Sequence, residues 1–233
     1  MSELQVLSNP SPPSEPGDRL SREEFERRYH AMPHLKKAEL LRGSVYMPSQ
    51  VRIHLHAEPH AFVLGWLFAH MVATSGVFTA DNAIVRLGTE DEPQPDALLR
   101  IASDRGGQAE IDADGYLRGA PELAVEIASS SVSYDLHLKR DVYGEHGVRE
   151  YLVWRVGDRA IDWFVLRGDR YQPLVAEAEG TLRSEVFPGF WLDPAALVSG
   201  DGARVLEVLH QGLASPEHAA FVKRLAGDAD PEL

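Results

Sequence analysis

The chain has 233 residues, of which 44% are hydrophobic, and it contains no cysteine. A chain of this length and composition can bury one large core, and the lack of cysteine excludes disulfides and thiolate metal sites and favours a reducing cytoplasm. There is no apolar run of about 18 residues and no signal-peptide pattern, so no membrane segment is expected. The 23 Lys and Arg against 36 Asp and Glu give a net charge of −13, which argues against nonspecific coating of nucleic acid. An acidic metal site beside one basic groove remains compatible with this charge.

The N-terminal third is predicted to contain a tail, two helices and a hairpin. Residues 1–18 are rich in Pro, Ser and Gly and predict a disordered tail. Ser21 and Glu24 have the spacing of a capping box, which predicts the start of a helix. Residues 36–48 alternate in polarity around an Arg-Gly turn and predict a hairpin. Residues 60–76 are apolar on most sides at helical spacing, so this second helix is expected to be well buried.

The remainder of the chain is predicted to form strands and helices around one sheet. Strand candidates are 77–87, 95–101, 122–128, 149–156, 160–168 and 169–177, and helices are expected over 133–147 and within 199–226. A polar, glycine-rich stretch, 103–119, is interpreted as an excursion between strands. The pattern predicts an α/β (α+β) domain over 19–198 with a mixed sheet flanked by helices, a helical extension over 199–226 and a tail over 227–233.

Two of the strand candidates each place one carboxylate on a polar face. Because side chains alternate across a strand, Glu126 shares a face with Ala124 and Ala128, opposite three branched aliphatic residues. Asp96 lies at the start of the corresponding face of the strand candidate 95–101 and is the carboxylate on that face. Stripping a carboxylate of water without a partner costs several kcal/mol. Glu126 is therefore expected to be neutralised by a partner or to lie at the mouth of a cleft.

The helix over 133–147 carries a stripe that can complete such a site. Asp135, Lys139 and Tyr143 are spaced i, i+4, i+8, and a tight turn after the strand would bring Lys139 back over Glu126. Two acidic groups and a lysine are suited to phosphodiester hydrolysis, since carboxylate oxygens hold Mg²⁺ or Mn²⁺ and lysine stabilises negative charge.

Structural interpretations of the same residues stay open. Asp96 follows a proline and fits a turn position. Glu126 fits a pair with a buried arginine. Asp135 and Lys139 fit an exposed helical ion pair worth about 0.3 kcal/mol. These residue patterns alone do not decide between a catalytic and a structural role.

Other polar residues are candidates for contact with a substrate or a metal. His54, His56 and His60 are close in sequence and suggest a zinc site, but no cysteine or evident fourth ligand lies nearby. A role in lining a cleft or a dimer surface is the competing interpretation, with His60 the candidate for a substrate or proton contact. Arg100 is a second candidate substrate contact. A basic rim is predicted from a wider set, Arg100, Lys139, Arg140, Arg149 and Arg155.

Three segments within about residues 19–195 are distinctive in combination, namely "REEFERRYHAMPHLKKAELLRGSVYMP", "PQPDALLRI" and "GAPELAVEIASSSVSYDLHLKRDVYGEHGVREYLVWRV". Together they resemble the Uma-type restriction endonuclease family, which belongs to the PD-(D/E)XK nuclease superfamily. The resemblance implies that Asp96, Glu126 and the carbonyl of Ile127 are metal ligands and that Glu39 is an accessory acid. Ala128 occupies the usual lysine position of the superfamily, and the resemblance implies that Lys139 replaces that lysine.

The resemblance also implies a fold and an activity. It implies a restriction-endonuclease-like mixed sheet, Mg²⁺- or Mn²⁺-dependent hydrolysis of DNA, and a homodimer. Two alternatives remain, namely an inactive nuclease fold that serves as an interaction module and a phosphodiesterase that acts on RNA or nucleotides. The interaction module would not bind Mn²⁺ through Asp96 and Glu126. Assays with DNA, RNA and nucleotides would distinguish the phosphodiesterase from a DNA endonuclease.

Overall fold

The computed structural model describes residues 12–47, 52–129 and 131–227. The strands are β1 (Glu39–Leu41), β2 (Ser44–Tyr46), β3 (Val77–Asp81), β4 (Val85–Arg86), β5 (Ala97–Ile101), β6 (Glu110–Ile111), β7 (Leu117–Arg118), β8 (Leu123–Ala128), β9 (Glu150–Arg155), β10 (Ala160–Arg167), β11 (Arg170–Pro173), β12 (Leu182–Arg183) and β13 (Trp191–Leu192). The helices are α1 (Arg22–His30), α2 (Glu58–Ala73), α3 (Val132–Tyr134), α4 (Arg140–Glu145), α5 (Pro194–Ser199), α6 (Gly202–Leu213) and α7 (Pro216–Ala226). A π-helical turn, Ile53–Ala57, precedes α2, a second, Asp135–Lys139, joins α3 to α4, and Ser103–Arg105 form a 3₁₀ turn.

A six-stranded mixed sheet in the order β11-β10-β9-β8-β5-β3 forms the centre of the fold. β8 and β9 run parallel, whereas the other neighbouring strands are antiparallel. The parallel pair requires a crossover, which α3, the π-helical turn and α4 provide between β8 and β9. This sheet with flanking helices confirms the predicted α/β class.

Two hydrophobic clusters cover the two faces of this sheet. The aliphatic side chains of β8 that include Val125 pack with α2, α6 and α7, and Phe190 belongs to the same cluster. Ala124 and Ala128 face the opposite cluster with Val142 of α4. The alternation predicted for β8 is therefore confirmed, and it directs Glu126 toward the α4 side of the sheet.

The N-terminal helix and hairpin begin where the sequence predicts. The side chain of Ser21 accepts a hydrogen bond from the amide of Glu24 and caps α1. β1 and β2 pair as an antiparallel hairpin. Gly17, near the end of the segment predicted as a tail, donates its amide to the carbonyl of Val45. Residues 1–11 of that tail lie outside the described residues.

The segment 77–87 is not one strand, contrary to the prediction. Asn82 has a φ of 48°, and this left-handed residue ends β3 before β4 begins. β3 pairs with β5 at one edge of the central sheet, whereas β4 joins a three-stranded sheet in the order β4-β7-β6. The stretch 103–119 supplies the two other strands of this small sheet.

Helix α2 is buried on one side, contrary to the expectation that it would be buried on most sides. Trp66 and Leu67 are in the core, but Phe62, Phe68 and Val72 are exposed to 38%, 56% and 67%. The helix packs against the core with its other side, and Phe62, at one end of the exposed side, lies beside Gly202 of α6. This exposed apolar side is called the α2 face below and comprises Phe62, Phe68 and Val72.

The C-terminal helices pack onto the same core as the central sheet. Val205 and Leu209 of α6 and Phe221 and Leu225 of α7 belong to the cluster that contains β8. The predicted boundary at 198/199 falls inside α5, whose Leu197 belongs to the same core. The predicted tail over 227–233 lies almost wholly outside the described residues. Among the described helices, none is long and apolar enough to cross a membrane.

Candidate active site

A cleft of about 870 Å³ opens beside β5 and β8. It is lined by six of the seven site residues predicted from the sequence, Glu39, His60, Asp96, Glu126, Ile127 and Lys139. Antiparallel pairing of Ala97 with Val125 places Asp96 across from Glu126, one residue beyond the last pair. Sheet register thus brings the two predicted metal ligands to one place.

Lys139 lies at the centre of the acidic groups in this cleft. Its Nζ donates to Oε1 of Glu126 at 2.9 Å and lies 2.8 Å from Oε1 of Glu39. Asp135 Oδ1 is 3.9 Å from the same ammonium. The hydroxyl of Tyr143 also donates to Oε1 of Glu126, at 3.0 Å. The predicted stripe of Asp135, Lys139 and Tyr143 therefore faces Glu126. The interpretation of Asp135 and Lys139 as an exposed ion pair is wrong, because both side chains are buried.

Asp96 is held by three donors from different parts of the chain. Lys37 Nζ donates to Oδ1 at 2.7 Å, and the amide of Ile127 donates to Oδ2 at 2.8 Å. His56 Nε2 lies 3.3 Å from Oδ2. Asp96 is only 3% exposed, so these contacts replace the water that a carboxylate loses on burial.

The two carboxyl groups have opposite pKa shifts. Burial raises the pKa of Glu126 to about 8, although the nearby Lys139 acts against this. Burial would also raise the pKa of Asp96, but the hydrogen bond from His56 and the charge of Lys37 lower it below its usual range. Burial alone would lower the pKa of Lys139, yet its carboxylate neighbours raise it well above the usual value, so the ammonium stays charged. Perturbed groups that converge in a cleft mark a candidate functional site.

The three histidines do not form one cluster. His56 and His60 line the cleft with their rings 5.7 Å apart, whereas His54 is exposed and contacts Glu58. The π-helical turn explains this separation, because residues two apart on a helix, such as His54 and His56, do not face the same way. His60 Nε2 donates to the carbonyl of Asp96 at 2.7 Å.

Arg100 is the predicted site residue that does not line the cleft. Its guanidinium lies 4.8 Å above the ring of Phe78. The proposed basic rim is also smaller than expected, since Lys139 alone of its five members lines the cleft. Arg155, for example, is paired with Asp158 and Asp162 on β10 and its turn.

Sequence reasoning missed Lys37 and His56 as partners of Asp96. A signal for Lys37 was present, because Lys37 and Glu39 are two residues apart in the segment leading into β1 and so point the same way. His56 had no such signal, since its orientation depends on the π-helical turn.

The donor atoms in the cleft suit a hard divalent cation in their chemistry. Asp96, Glu126 and the carbonyl of Ile127 offer oxygen ligands, which Mg²⁺ and Mn²⁺ prefer. Oε2 of Glu126 has no hydrogen-bond donor among the described residues, whereas Oε1 is held by Lys139 and Tyr143. Within residues 12–47, 52–129 and 131–227, no three His, Asp or Glu side chains are already arranged around a metal position.

Residues 22–195 match a family model described as "Uma2: Putative restriction endonuclease". This match covers well over half of the 233-residue chain. The chain belongs to the Uma2 family. The resemblance read from the three motifs is thereby confirmed, and the family with its mixed α/β fold supports a nuclease.

Structural comparison finds a crystal structure described as "a putative nuclease belonging to DUF820" from Anabaena variabilis. The two chains share 13% sequence identity with a TM-score of 0.48, over 69% of this chain and 90% of the other. No curated protein matches the chain.

Proposed function

We propose that this Uma2 chain is a Mg²⁺-dependent endonuclease that hydrolyses DNA phosphodiester bonds in the cleft beside β5 and β8. One observation carries the proposal, namely that Asp96, Glu126 and Lys139 converge in a single cleft from three separate elements. Family membership supports the nuclease class. The metal and the DNA substrate are parts of the proposal.

Asp96, Glu126 and the Ile127 carbonyl are the residues that would hold the cation. A bound divalent ion supplies a water of lowered pKa and offsets charge on the phosphate. Because Asp96 stays ionised, it provides a permanent negative charge at this position. The amide of Ile127 fixes the orientation of the Asp96 carboxylate before any ligand arrives.

Lys139 is the residue proposed to stabilise charge on the phosphate during cleavage. Glu39 and Glu126 hold its ammonium at the base of the cleft, with 2.8 Å and 2.9 Å contacts. Glu39 is itself oriented by the backbone amide of Gln94 at 2.8 Å. A positioned cation of this kind needs little reorganisation when negative charge develops beside it.

Calorimetric titration with Mn²⁺ tests the metal site directly. Wild type is compared with Asp96→Ala, Glu126→Ala and Asp169→Ala, the last being a control at an exposed acid outside the cleft. We expect saturable binding by wild type and control and loss of binding in both cleft variants, with all proteins folded by circular dichroism. The same four proteins are then assayed for Mg²⁺-dependent cleavage of supercoiled plasmid. A folded wild type that neither binds Mn²⁺ nor cuts DNA would refute the proposal.

An inactive interaction module is the second candidate, and one observation favours it. Both cleft carboxylates already have lysine partners, Lys37 on Asp96 and Lys139 on Glu126, so the ion pairs alone can account for their burial. In that case the wild type gives no heat with Mn²⁺ and no cleavage of DNA, RNA or nucleotides. Cleavage of RNA or a nucleotide without cleavage of DNA would instead support the third candidate, a phosphodiesterase with another substrate.

We also propose that the chain forms a homodimer through the α2 face. Residues 59–80 contain no Asp, Glu, Lys or Arg, and they include this face and the edge strand β3 with its exposed Phe78. Two copies that each carry a charge of −13 repel one another, so an uncharged apolar surface offers them the most favourable approach. The cytoplasmic location stays a prediction from the lack of cysteine.

A further inference from the structure

Two tyrosines form an aromatic wall in the cleft, next to the acidic groups. The rings of Tyr46 and Tyr134 are 4.8 Å apart with an angle of 42° between their planes, and both residues line the cleft. The hairpin register pairs Tyr46 with Glu39, so the ring lies beside an acidic member of the site. Lys139 Nζ is 5.6 Å from the centre of the Tyr134 ring. The aromatic wall, defined as Tyr46 and Tyr134, therefore borders the atoms proposed for catalysis.

The acidic groups lie deep enough to restrict what can reach them. Asp96 and Glu126 are exposed to 3% and 2%. A phosphodiester must therefore enter the cleft to approach these carboxylates. A single strand can bend into such a cleft, whereas the phosphates of a duplex stay on the outside of a stiff rod.

Among the described residues, three lysines and no arginine line the cleft, and two of these, Lys37 and Lys139, are held by Asp96 and Glu126. Lys36 and Lys37 line the cleft, and Lys36 is exposed with no acidic partner within 4.0 Å among the described residues. Arg86, which does not line the cleft, is held in three ion pairs. A duplex-binding surface needs many phosphate contacts, and the cleft supplies a cation for about one or two.

Two polar atoms of the cleft lining are buried without a hydrogen-bond partner. They are the hydroxyl of Tyr134 and Nδ1 of His56. An unsatisfied buried polar atom costs about 1–3 kcal/mol, so a rotation of either side chain that lets a ligand group in the cleft reach this atom would be favoured. The polar edge of a base or a sugar-phosphate oxygen has the donors and acceptors required.

We propose that the cleft binds an unpaired segment of DNA, with one nucleobase stacked on the aromatic wall and its phosphate between Lys36 and the carboxylates. A tyrosine ring can cover the face of a base only when that base has left its own stack. Stacking on aromatic side chains tolerates any sequence. Only the cleavage of the bound strand rests on the proposed function. Binding of the strand can be measured without a metal and does not depend on nuclease activity.

Fluorescence anisotropy tests the binding step, in EDTA so that no metal is present. The probe is a labelled DNA strand of about 20 nucleotides, used either single or annealed to its complement. We expect the single strand to bind at least about 10-fold more tightly than the duplex. The informative variant is Tyr46→Leu, which keeps apolar volume but removes the aromatic face, and it should weaken single-strand binding by about 10-fold. Tyr46→Trp should keep the wild-type affinity, and Ile111→Ala, at an exposed apolar residue outside the cleft, should leave it unchanged. Equal affinity for single strand and duplex, or equal affinity of Tyr46→Leu and wild type, would overturn the inference.

Cleavage of the same two DNAs with Mg²⁺ separates this inference from the proposed function. If the wild type cleaves the single strand faster than the duplex and Tyr46→Leu reduces this cleavage, both the nuclease proposal and the inference are supported. Equal cleavage of the two DNAs, unaffected by Tyr46→Leu, leaves the nuclease proposal in place and overturns the inference. Tight single-strand binding that depends on Tyr46, without cleavage, overturns the nuclease proposal and supports the inference.

Discussion

The ammonium of Lys139 lies 2.9 Å from Oε1 of Glu126, a residue thirteen positions earlier in the chain. The contact joins the crossover helix to the central strand β8, and both side chains are buried. Glu39 contributes a second carboxylate to the same ammonium from the N-terminal hairpin. The ammonium of Lys139 therefore connects three elements that are distant in sequence. Its contribution to the free energy of unfolding can be measured by replacing the lysine.

Replacing Lys139 with methionine should destabilise the protein strongly. The variant leaves the Glu126 and Glu39 carboxylates buried without their cation, and removal of one partner of a buried pair costs about 3–5 kcal/mol. Urea unfolding measures the loss. Arg167→Met, which breaks an exposed pair with Glu185, is the matched control and should change stability by less than about 1 kcal/mol. A Lys139→Met variant as stable as this control would contradict the expectation.

Replacing Lys37 with methionine should increase the affinity for Mn²⁺. Lys37 donates to Oδ1 of Asp96, so its ammonium competes with a cation for that carboxylate. Without it, we expect Mn²⁺ to bind about 10-fold more tightly in calorimetry, equivalent to about 1.4 kcal/mol. Lys36→Met is a close control, because Lys36 is adjacent in sequence and has no carboxylate contact among the described residues. Unchanged or weaker Mn²⁺ binding by Lys37→Met would place the metal away from Asp96.

The buried side chain of His70 should make the protein less stable in acid. Both of its ring nitrogens lack a partner among the described residues, and burial lowers its pKa from 6.5 to about 3. The unfolded chain therefore binds a proton that the folded chain excludes, so stability falls as pH drops from about 6.5 toward about 3. At pH 5 this amounts to about 2 kcal/mol.

The variant His70→Leu isolates this effect. Leucine has no titratable group and suits an environment that contains Phe187 and Phe190. Urea unfolding near pH 7 and near pH 5 should show a smaller loss of stability for the variant than for wild type, by about 2 kcal/mol. Parallel pH profiles for the two proteins would show that His70 does not titrate in this way.

Two helical glycines should respond to alanine in opposite directions. A Cβ at Gly212 in α6 would lie 2.3 Å from the carbonyl oxygen of Gly189, so Gly212→Ala should cost about 2–3 kcal/mol. A Cβ at Gly65 in α2 would meet nothing within 4 Å among the described atoms, so Gly65→Ala should stabilise the helix by up to about 1 kcal/mol. Thermal and urea unfolding of both variants check the two signs. A tolerated Gly212→Ala would mean that α6 can move away from the segment that carries Gly189.

Introducing a charge on the α2 face should dissociate the proposed homodimer. In sedimentation equilibrium, Phe68→Asp is expected to shift a dimeric wild type to monomer, because the aspartate would be buried without a partner in an apolar interface. Ile111→Asp changes an equally exposed apolar residue on β6 and should leave the dimer intact. A wild type that is monomeric at high concentration would refute the proposed interface, and a dimer that survives Phe68→Asp would place the interface elsewhere.

Local patterns predicted the parts of this fold that depend on local chemistry. The alternation of β8, the Ser21 cap and the hairpin of β1 and β2 each follow from residues near one another in sequence. The pairing of β4 with β7 is parallel and joins residues 85–86 to 117–118, so no short-range pattern could have indicated it. The exposure of the α2 face was missed for a similar reason, since the number of layers that cover a helix is a property of the whole fold.

The candidate site was predictable in its acids and less so in its cations. Asp96 and Glu126 were recognised because each is a carboxylate beside apolar strand residues, and the β5–β8 register then brings them together. Lys139 was a candidate from helical spacing and a tight turn after β8, but its role stayed open until the resemblance was considered, because its approach to Glu126 depends on the path of the crossover. Lys37 and His56 reach Asp96 from segments with little regular structure, where position is set by contacts far along the chain.

Because of the π-helical turn Asp135–Lys139, the number of residues between Glu126 and Lys139 decides whether the site can form. Such a turn contains one residue more than an α-helical turn, and each residue rotates a helix by about 100°. Loss of a single residue before Lys139 would change how Lys139 and Tyr143 together are oriented toward Glu126, although these two residues would keep their own i, i+4 spacing. Homologous chains that keep the glutamate and the lysine but differ by one residue between them are therefore expected to lack this arrangement, so a search for members with the same site has to count spacing as well as identity.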